Sequence, residues 1–370
     1  MQGAQGVGGA GRTRRRVVAL FVGVAAALVL AEATLRIAGD GAPPGPKIGV
    51  VDTVTGDLVL HAYPSDPANA FEPTPALTPG RHQAIELSEP PRKVALDALA
   101  ATPWCVRYAY GSEGVRGPAV TPRPLPGVTR IALIGDSFAF GEGVREPETL
   151  APRLAARLGA SYEVPNCAQS GADLALDVAR LEWAVASYGC TRALLVVTLN
   201  DVPPPTQRAA ADRAFDLLNV RADDGTPAPL RWSRLAHLAF GFAAARARTA
   251  ATEDEYAARW DPQRNGTRLD EAAALFARAA ALPGCRTVVV VHPLLHRLRD
   301  YPFRAAHAEI AALARRAGLD VVDLLPAFEG LDERTLFVHP IDHHPNARAH
   351  ALSAERLAAA LLELPAFAPR

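Results

Sequence analysis

Two short stretches of this chain carry side chains suited to nucleophilic chemistry. Residues 131–137 read Ile-Ala-Leu-Ile-Gly-Asp-Ser, and residues 342–346 read Asp-His-His-Pro-Asn. The apolar run predicts a buried strand, and Gly-Asp-Ser predicts a strand-to-helix turn. In a parallel α/β sheet, ligands bind at the carboxyl ends of the strands, so this turn would present the Ser137 hydroxyl to a cleft. A hydroxyl is a weak nucleophile until an imidazole takes its proton, and a carboxylate orients that imidazole. His344 and Asp342 are the candidates for those two roles. Taken alone, Gly-Asp-Ser is an ordinary turn whose Asp and Ser suit helix capping.

Attack on an ester carbonyl builds negative charge on its oxygen, and losing one preorganised donor there typically costs about 3 kcal/mol. Asn166-Cys167-Ala168-Gln169-Ser170-Gly171 offers a backbone N–H at Gly171, where the missing Cβ permits close approach. Asn200-Asp201 follows the apolar run Leu194–Leu199, and the Asn200 amide supplies N–H donors. Each has a plain alternative: a glycine before a helix, and a turn before Pro203-Pro204-Pro205.

In this order the segments resemble the SGNH (GDSL-type) hydrolase superfamily over about residues 128–365. Gly135-Asp136-Ser137 matches its first block, the segment ending in Gly171 its second, Asn200-Asp201 its third, and Asp342 with His344 its fifth. The resemblance implies Ser137 as nucleophile, His344 as base and Asp342 as its orienting carboxylate. It also implies an oxyanion site made of the Ser137 N–H, the Gly171 N–H and the Asn200 amide. The implied fold is a three-layer α/β/α sandwich around a flavodoxin-like, mostly parallel five-stranded sheet. The implied activity is carboxylic ester hydrolysis without a cofactor. Two departures stand out. Thr198 and Leu199 precede Asn200 where the superfamily commonly has Gly-x-Asn-Asp. Asp342 and His344 are two residues apart where Asp-x-x-His is common. Pro345-Asn346 after His344 favours it as the base, with His343 the alternative.

The elements needed to position these residues are present. Arg130–Ile134, Tyr162–Pro165, Ala193–Leu199, Arg286–His292 and Leu319–Asp323 predict strands. Glu148–Leu158, Ala172–Tyr188, Leu269–Ala281, Phe303–Ala317 and Ala347–Leu362 predict helices between and after them. Such alternation predicts a mostly parallel sheet with helices on both faces. The connection 202–265 is long, with a helical stretch at Leu230–Arg248, and reads either as a lid or as surface helices. Residues 39–127 are rich in Pro and Gly and read as a linker followed by a small, mostly irregular or β-containing subdomain. Gly114-Val115-Arg116-Gly117, ahead of the Gly-Asp-Ser block, strengthens the resemblance to membrane-anchored bacterial members.

Arg12, Arg14, Arg15 and Arg16 close a basic tail, 1–16, before the uncharged run Val17–Ala31. That run spans about 22 Å as a helix, short of the roughly 30 Å apolar core of a bilayer. Apolar residues resume at Leu35, Ile37 and Ala38, and Glu32 and Arg36 are spaced to pair i,i+4. Residues 17–38 are therefore expected to be an uncleaved signal anchor, with a cleaved signal as the alternative because Ala31-Glu32-Ala33 fits small-x-small. Basic residues ahead of the run predict a cytoplasmic amino end and an extracytoplasmic remainder.

Formal net charge is zero, from 39 basic and 39 acidic residues, which argues against a nucleic-acid partner. Arginine dominates the basic residues, and Lys47 and Lys93 are the only lysines. Cys105, Cys167, Cys190 and Cys285 suit an exported chain but define no pairing, and Cys167 reads as a small buried apolar residue. His339, Asp342, His343, His344 and His350 form a histidine-rich patch, yet adjacent histidines on an extended chain point oppositely and no HExxH spacing occurs, so no metal is assigned. His292 and His343 are possible substrate contacts. Glu142, between two glycines, reads as a solvated loop residue, with a second-carboxylate role as the alternative. The expected activity is an extracytoplasmic serine esterase acting on a small acyl ester or acylated envelope glycan. The alternatives are an O-acyltransferase and a non-catalytic glycan-binding or envelope-assembly module.

Overall fold

The computed structural model describes residues 8–38, 47–55, 57–63, 72–73, 77–78, 81–86, 92–96, 104–112, 114–205, 226–365 and 367. The linker residues 39–46 and residues 206–225 of the long connection lie outside them. The chain forms two compact units, one of Met1–Pro44 with Ala222–Arg248, the other of Gly45–Arg221 with Thr249–Arg370.

The first unit holds the helix Gly8–Ala38, longer than the expected 17–38. Its stretch Arg14–Ala38 is long and apolar enough to cross a membrane by length and composition. Glu32 and Arg36 pair at 2.7 Å, as their spacing suggests. The Glu32 carboxylate also accepts hydrogen bonds from Ser233 Oγ at 2.8 Å and from the backbone N–H groups of Arg234 and Leu235 at 3.0 and 2.9 Å. Those are orphan donors at the start of the helix Arg234–Arg259, so a residue distant in sequence caps it.

The second unit begins with six strands: β1 (Ile48–Asp52), β2 (Leu58–Tyr63), β3 (Glu72–Pro73), β4 (His82–Glu86), β5 (Arg92–Val94) and β6 (Trp104–Arg107). They pair in the order β3-β6-β2-β1-β4-β5, and every pairing is antiparallel. The region expected to be mostly irregular or β-containing holds a six-stranded sheet. Side chains alternate faces along a strand. Leu60 and Ala62 of β2 join Ile48, Val50, Ala84 and Cys105 in a small core, while Tyr63 joins the main core. A hairpin, β7 (Tyr110–Ser112) and β8 (Val115–Arg116), follows.

The central sheet comprises β9 (Thr129–Ile134), β10 (Tyr162–Glu163), β11 (Arg192–Val197), β12 (Arg286–Val291) and β13 (Asp320–Asp323). All neighbours are parallel, in the order β10-β9-β11-β12-β13. This is the flavodoxin-like order, with its switch point between β9 and β11. β9, β11 and β12 are buried along nearly their whole lengths, as strands covered on both faces must be. The step from β9 to β10 runs opposite to the later steps, so right-handed crossovers put Leu150–Leu158 on one face and the helices Leu174–Tyr188, Pro262–Ala280 and Arg304–Arg316 on the other. The last helix, Ala347–Glu363, packs against Leu150–Leu158 and completes the three layers.

Differences from the expected boundaries have local causes. β10 stops at Glu163 because Pro165 has no N–H for the ladder, although its carbonyl still accepts from Leu133 N at 3.0 Å. The following helix starts at Leu174 rather than Ala172 because Asp173 caps it, accepting from Leu176 N at 2.9 Å.

Candidate active site

β9 delivers Ser137 to the switch-point crevice. Gly135 has φ +149, and a Cβ there would lie 2.9 Å from both Val196 O and Ala139 Cβ, so only glycine fits the turn. Asp136 then caps the short helix Ser137–Phe140 by accepting from Phe138 N at 2.9 Å. β11 leads into the loop carrying Asn200 on the other side of the crevice.

The candidate base, His344, comes from a hairpin of β14 (Phe337–His339) and β15 (Asp342–Pro345). His344 Nε2 lies 2.9 Å from Ser137 Oγ, and His344 Nδ1 lies 2.5 Å from Asp342 Oδ1. The spacing of two follows from the strand, where residues i and i+2 share a face. Asp342 Oδ1 also accepts from the His344 backbone N–H at 3.2 Å, which fixes the pair further. His343 lies on the other face of β15 and stacks on Phe337 with ring centroids 3.9 Å apart.

Gly171 adopts φ +78, and the space where a Cβ would stand is open. Asn200 Nδ2 donates one hydrogen bond to Asp136 Oδ2 at 3.0 Å, which leaves its second N–H for a ligand. Thr198, at the position where Gly-x-Asn-Asp would have glycine, donates its hydroxyl within the same cluster, 3.0 Å from Asp136 Oδ2 and 2.6 Å from Asn200 Oδ1. Thr198 and Asp136 thus fix the rotamer of Asn200.

Behind this arrangement is a buried polar network with no local sequence signal. Lys47 Nζ donates to Asp342 Oδ2 at 2.7 Å and to Glu142 Oε1 at 2.8 Å. Tyr63 donates its hydroxyl to Asp342 Oδ2 at 2.7 Å, and Ser170 Oγ donates to Glu142 Oε2 at 2.5 Å. His61 Nδ1 lies 3.5 Å from Glu142 Oε1 and 2.9 Å from the Tyr108 hydroxyl, which accepts from Gly143 N at 2.7 Å. Glu142 is therefore not the expected solvated loop residue: the N-terminal sheet covers its loop and supplies its cation. The sole trace of Lys47 in the sequence is its rarity in a chain whose basic residues are otherwise almost all arginine.

Electrostatics follow from this crowding. Burial disfavours the Lys47 ammonium, but the carboxylates of Asp342 and Glu142 outweigh it and raise its pKa, so it stays charged. Burial opposes charge on Asp342 too, but Lys47 and His344 hold its carboxyl well below the usual range. Glu142 is lowered against the same burial by Lys47, His344 and His61. For His344, burial works against the imidazolium, yet Glu142 and Asp342 raise its pKa above the ordinary histidine value. His61 is pushed down to about 3 by burial and by Lys47, so it is neutral. Ligand atoms of His61, Glu142 and Asp342 lie within 4.8 Å of one another, close enough for a cation. The Lys47 ammonium already touches both carboxylates of that group.

His292 does not join the cluster. It is 2% exposed, with Nδ1 2.9 Å from Pro293 O, Nε2 3.3 Å from Ser353 Oγ, and its ring edge on Phe138 at 5.1 Å. Burial lowers its pKa to about 4. Cys167 is fully buried, and no disulfide joins the cysteines among the described residues.

No family profile matches the chain, and no curated protein is similar to it. Several solved structures resemble it in part. An alpha/beta hydrolase enzyme from the metagenome of Lake Arreo is 18% identical, with 63% of this chain and 94% of that one covered and a TM-score of 0.37. A member of the lipolytic protein G-D-S-L family from Veillonella parvula is 15% identical, with 64% and 100% covered and a TM-score of 0.37. A carbohydrate acetylesterase from Sinorhizobium meliloti is 13% identical, with 63% and 98% covered and a TM-score of 0.36.

Proposed function

We propose that this chain is a serine ester hydrolase of the SGNH type, tethered to a membrane by its N-terminal helix. The observation that carries this is the relay in which His344 lies 2.9 Å from Ser137 Oγ and 2.5 Å from Asp342. As Ser137 Oγ attacks the ester carbonyl carbon, His344 Nε2 takes its proton. The Asp342 carboxylate holds the ring and stabilises the imidazolium. The N–H groups of Ser137 and Gly171 and the free N–H of Asn200 receive the oxyanion. Collapse breaks the ester C–O bond, and His344 returns the proton to the departing alcohol. Water, deprotonated by His344, then attacks the carbonyl carbon of acyl-Ser137; the C–Oγ bond breaks, His344 returns the proton to Ser137 Oγ, and the carboxylic acid leaves.

The apolar stretch Arg14–Ala38 and the basic residues before it favour a cytoplasmic amino end and an extracytoplasmic catalytic body. In that compartment the substrate class is an O-acetyl or other short acyl ester of an envelope glycan. The paired geometry of Asp342 and His344 speaks against a degenerate, binding-only site, because their unusual spacing suits a strand. The decisive experiment is fluorophosphonate labelling of the full chain in detergent, with Ser137→Ala as control. Labelling that depends on Ser137, with turnover of short nitrophenyl esters, is expected. A folded wild-type chain that neither labels nor hydrolyses such esters would refute the assignment.

A further inference from the structure

The polar network behind Asp342 joins parts of the site that are far apart in sequence. Lys47 precedes β1 of the N-terminal sheet, Glu142 lies just after the helix that starts at Ser137, and Ser170 is the neighbour of Gly171. Contacts run unbroken from Ser137 through His344, Asp342, Lys47 and Glu142 to Ser170. Every member except Ser170 is buried, and the Lys47 side chain is 4% exposed. A buried ammonium between two buried carboxylates is costly unless each charge is met, and here each is.

We infer that Lys47 is a positioning residue of the active site, an ammonium supplied by the N-terminal sheet that locks the base side to the oxyanion side and balances the charge facing His344. This rests on the proposed hydrolase chemistry and extends it to a residue outside every motif. Lys47 carries +1, and Asp342 and Glu142 carry −1 each, so the cluster holds one net negative charge against which His344 can form its imidazolium. Without Lys47, two carboxylates would face His344, the imidazolium would persist to higher pH, and the base would be blocked near neutrality. Without Glu142, Lys47 and Asp342 would cancel, and His344 would lose protons at lower pH. Among the described residues, Asp136, His61 and His350 also interact electrostatically with His344, and Tyr63 with Asp342. His61 is neutral beside Lys47, and burial likewise keeps His350 and Tyr63 uncharged. Burial raises the Asp136 pKa, opposed by hydrogen bonds from Phe138, Asn200 and Thr198. None of these four replaces the Lys47 charge.

The test is the pH dependence of fluorophosphonate inactivation of the full chain in detergent, with circular dichroism and thermal melts as folding controls. Lys47→Met should move the acid limb upward by about one to two pH units and slow labelling at neutrality by tenfold or more. Glu142→Gln should move the limb downward. The double variant Lys47→Met/Glu142→Gln should bring it back to or below the wild-type position, which a merely structural lysine would not do. If Lys47→Met does not fold, the direction of the Glu142→Gln shift and the position of the double variant decide the matter. A limb unmoved in Glu142→Gln, or one that stays high in the double variant, would overturn the inference. Failure of the wild-type chain to label would instead strike at the hydrolase assignment itself.

Discussion

Asp136 Oδ2 accepts a hydrogen bond from Asn200 Nδ2 at 3.0 Å, so the residue before Ser137 holds the side chain proposed as an oxyanion donor. The same carboxylate caps the helix that begins at Ser137. One side chain therefore couples the two loops that flank the switch point, and any shift of the Ser137 turn is transmitted to Asn200. Burial raises the Asp136 pKa, and the hydrogen bonds from Phe138, Asn200 and Thr198 oppose that rise.

Replacing Asn200 by alanine should remove a preorganised donor together with one of the hydrogen bonds that Asp136 accepts. The expected loss is about 10²–10³-fold in kcat with little change in KM, since the oxyanion exists only in the transition state. Steady-state hydrolysis of a short nitrophenyl ester measures it. A loss confined to KM would place Asn200 in ground-state binding instead.

The acid limb of kcat/KM should lie above the ordinary histidine value of about 6.5. His344 must be neutral to accept the Ser137 proton, and Glu142 and Asp342, against burial, raise its pKa. For stability the signs divide. The raised His344 contributes stability that is present below its unfolded pKa and lost as pH rises through its folded value. Asp342 and Glu142, both depressed, contribute stability that is present above their unfolded values and lost as pH falls through their folded ones. A pH–rate profile with its acid midpoint at or below 6.5 would contradict this ordering.

The central fold is legible because β9, β11 and β12 are continuous apolar runs, which fully covered parallel strands require. Ser137 and Asn200 are legible because each sits in a short motif at the end of such a strand, and Asp342 and His344 because Asp-His-His-Pro-Asn is itself a short local motif. The network behind them is not, because Lys47 and Glu142 are 95 residues apart and Tyr63 and Asp342 are 279 apart. No local pattern encodes those contacts. They exist because β2 alternates, giving Leu60 and Ala62 to a small core of its own and Tyr63 to the main one. The two-residue spacing of Asp342 and His344 looks irregular as a motif and becomes ordinary once the segment is a strand.

Asp177 should prove a source of instability rather than of support. It lies in the helix Leu174–Tyr188, fully buried, and neither carboxylate oxygen has a hydrogen-bond partner among the described residues. Burial pushes its pKa well up, and Asp136 and Asp173 add to the rise. A raised folded pKa means that Asp177 contributes stability only below its unfolded value and costs stability as pH rises. Asp177→Asn should thus raise Tm, and by more at pH 8 than at pH 5. Equal shifts at both pH values would show that the charge is not the cause.

Arg116 on β8 should be the arginine whose loss harms the site most. Its guanidinium donates to Phe140 O at 2.5 Å, to Gly141 O at 2.7 Å and to Val144 O, and lies over the Tyr108 and Phe140 rings at 4.7 and 4.6 Å. These carbonyls belong to the turn that carries Glu142, so one buried cation shapes the loop between the nucleophile helix and the Lys47 network. Removing it leaves Phe140 O to Asn166 Nδ2 and Gly141 O to Val144 N, takes the donor from Val144 O, and leaves Glu146, 3.5 Å away, without its cation. Breaking a buried charged contact of this kind costs about 3–5 kcal/mol. Arg116→Met should lower stability by that order in urea melts and slow Ser137 labelling as well. Arg116→Lys should rescue neither, because a single ammonium cannot reproduce a planar fork that serves several carbonyls and stacks on two rings. A lysine variant that melts and labels like the wild-type chain would mean that charge alone, and not the fork, holds the turn.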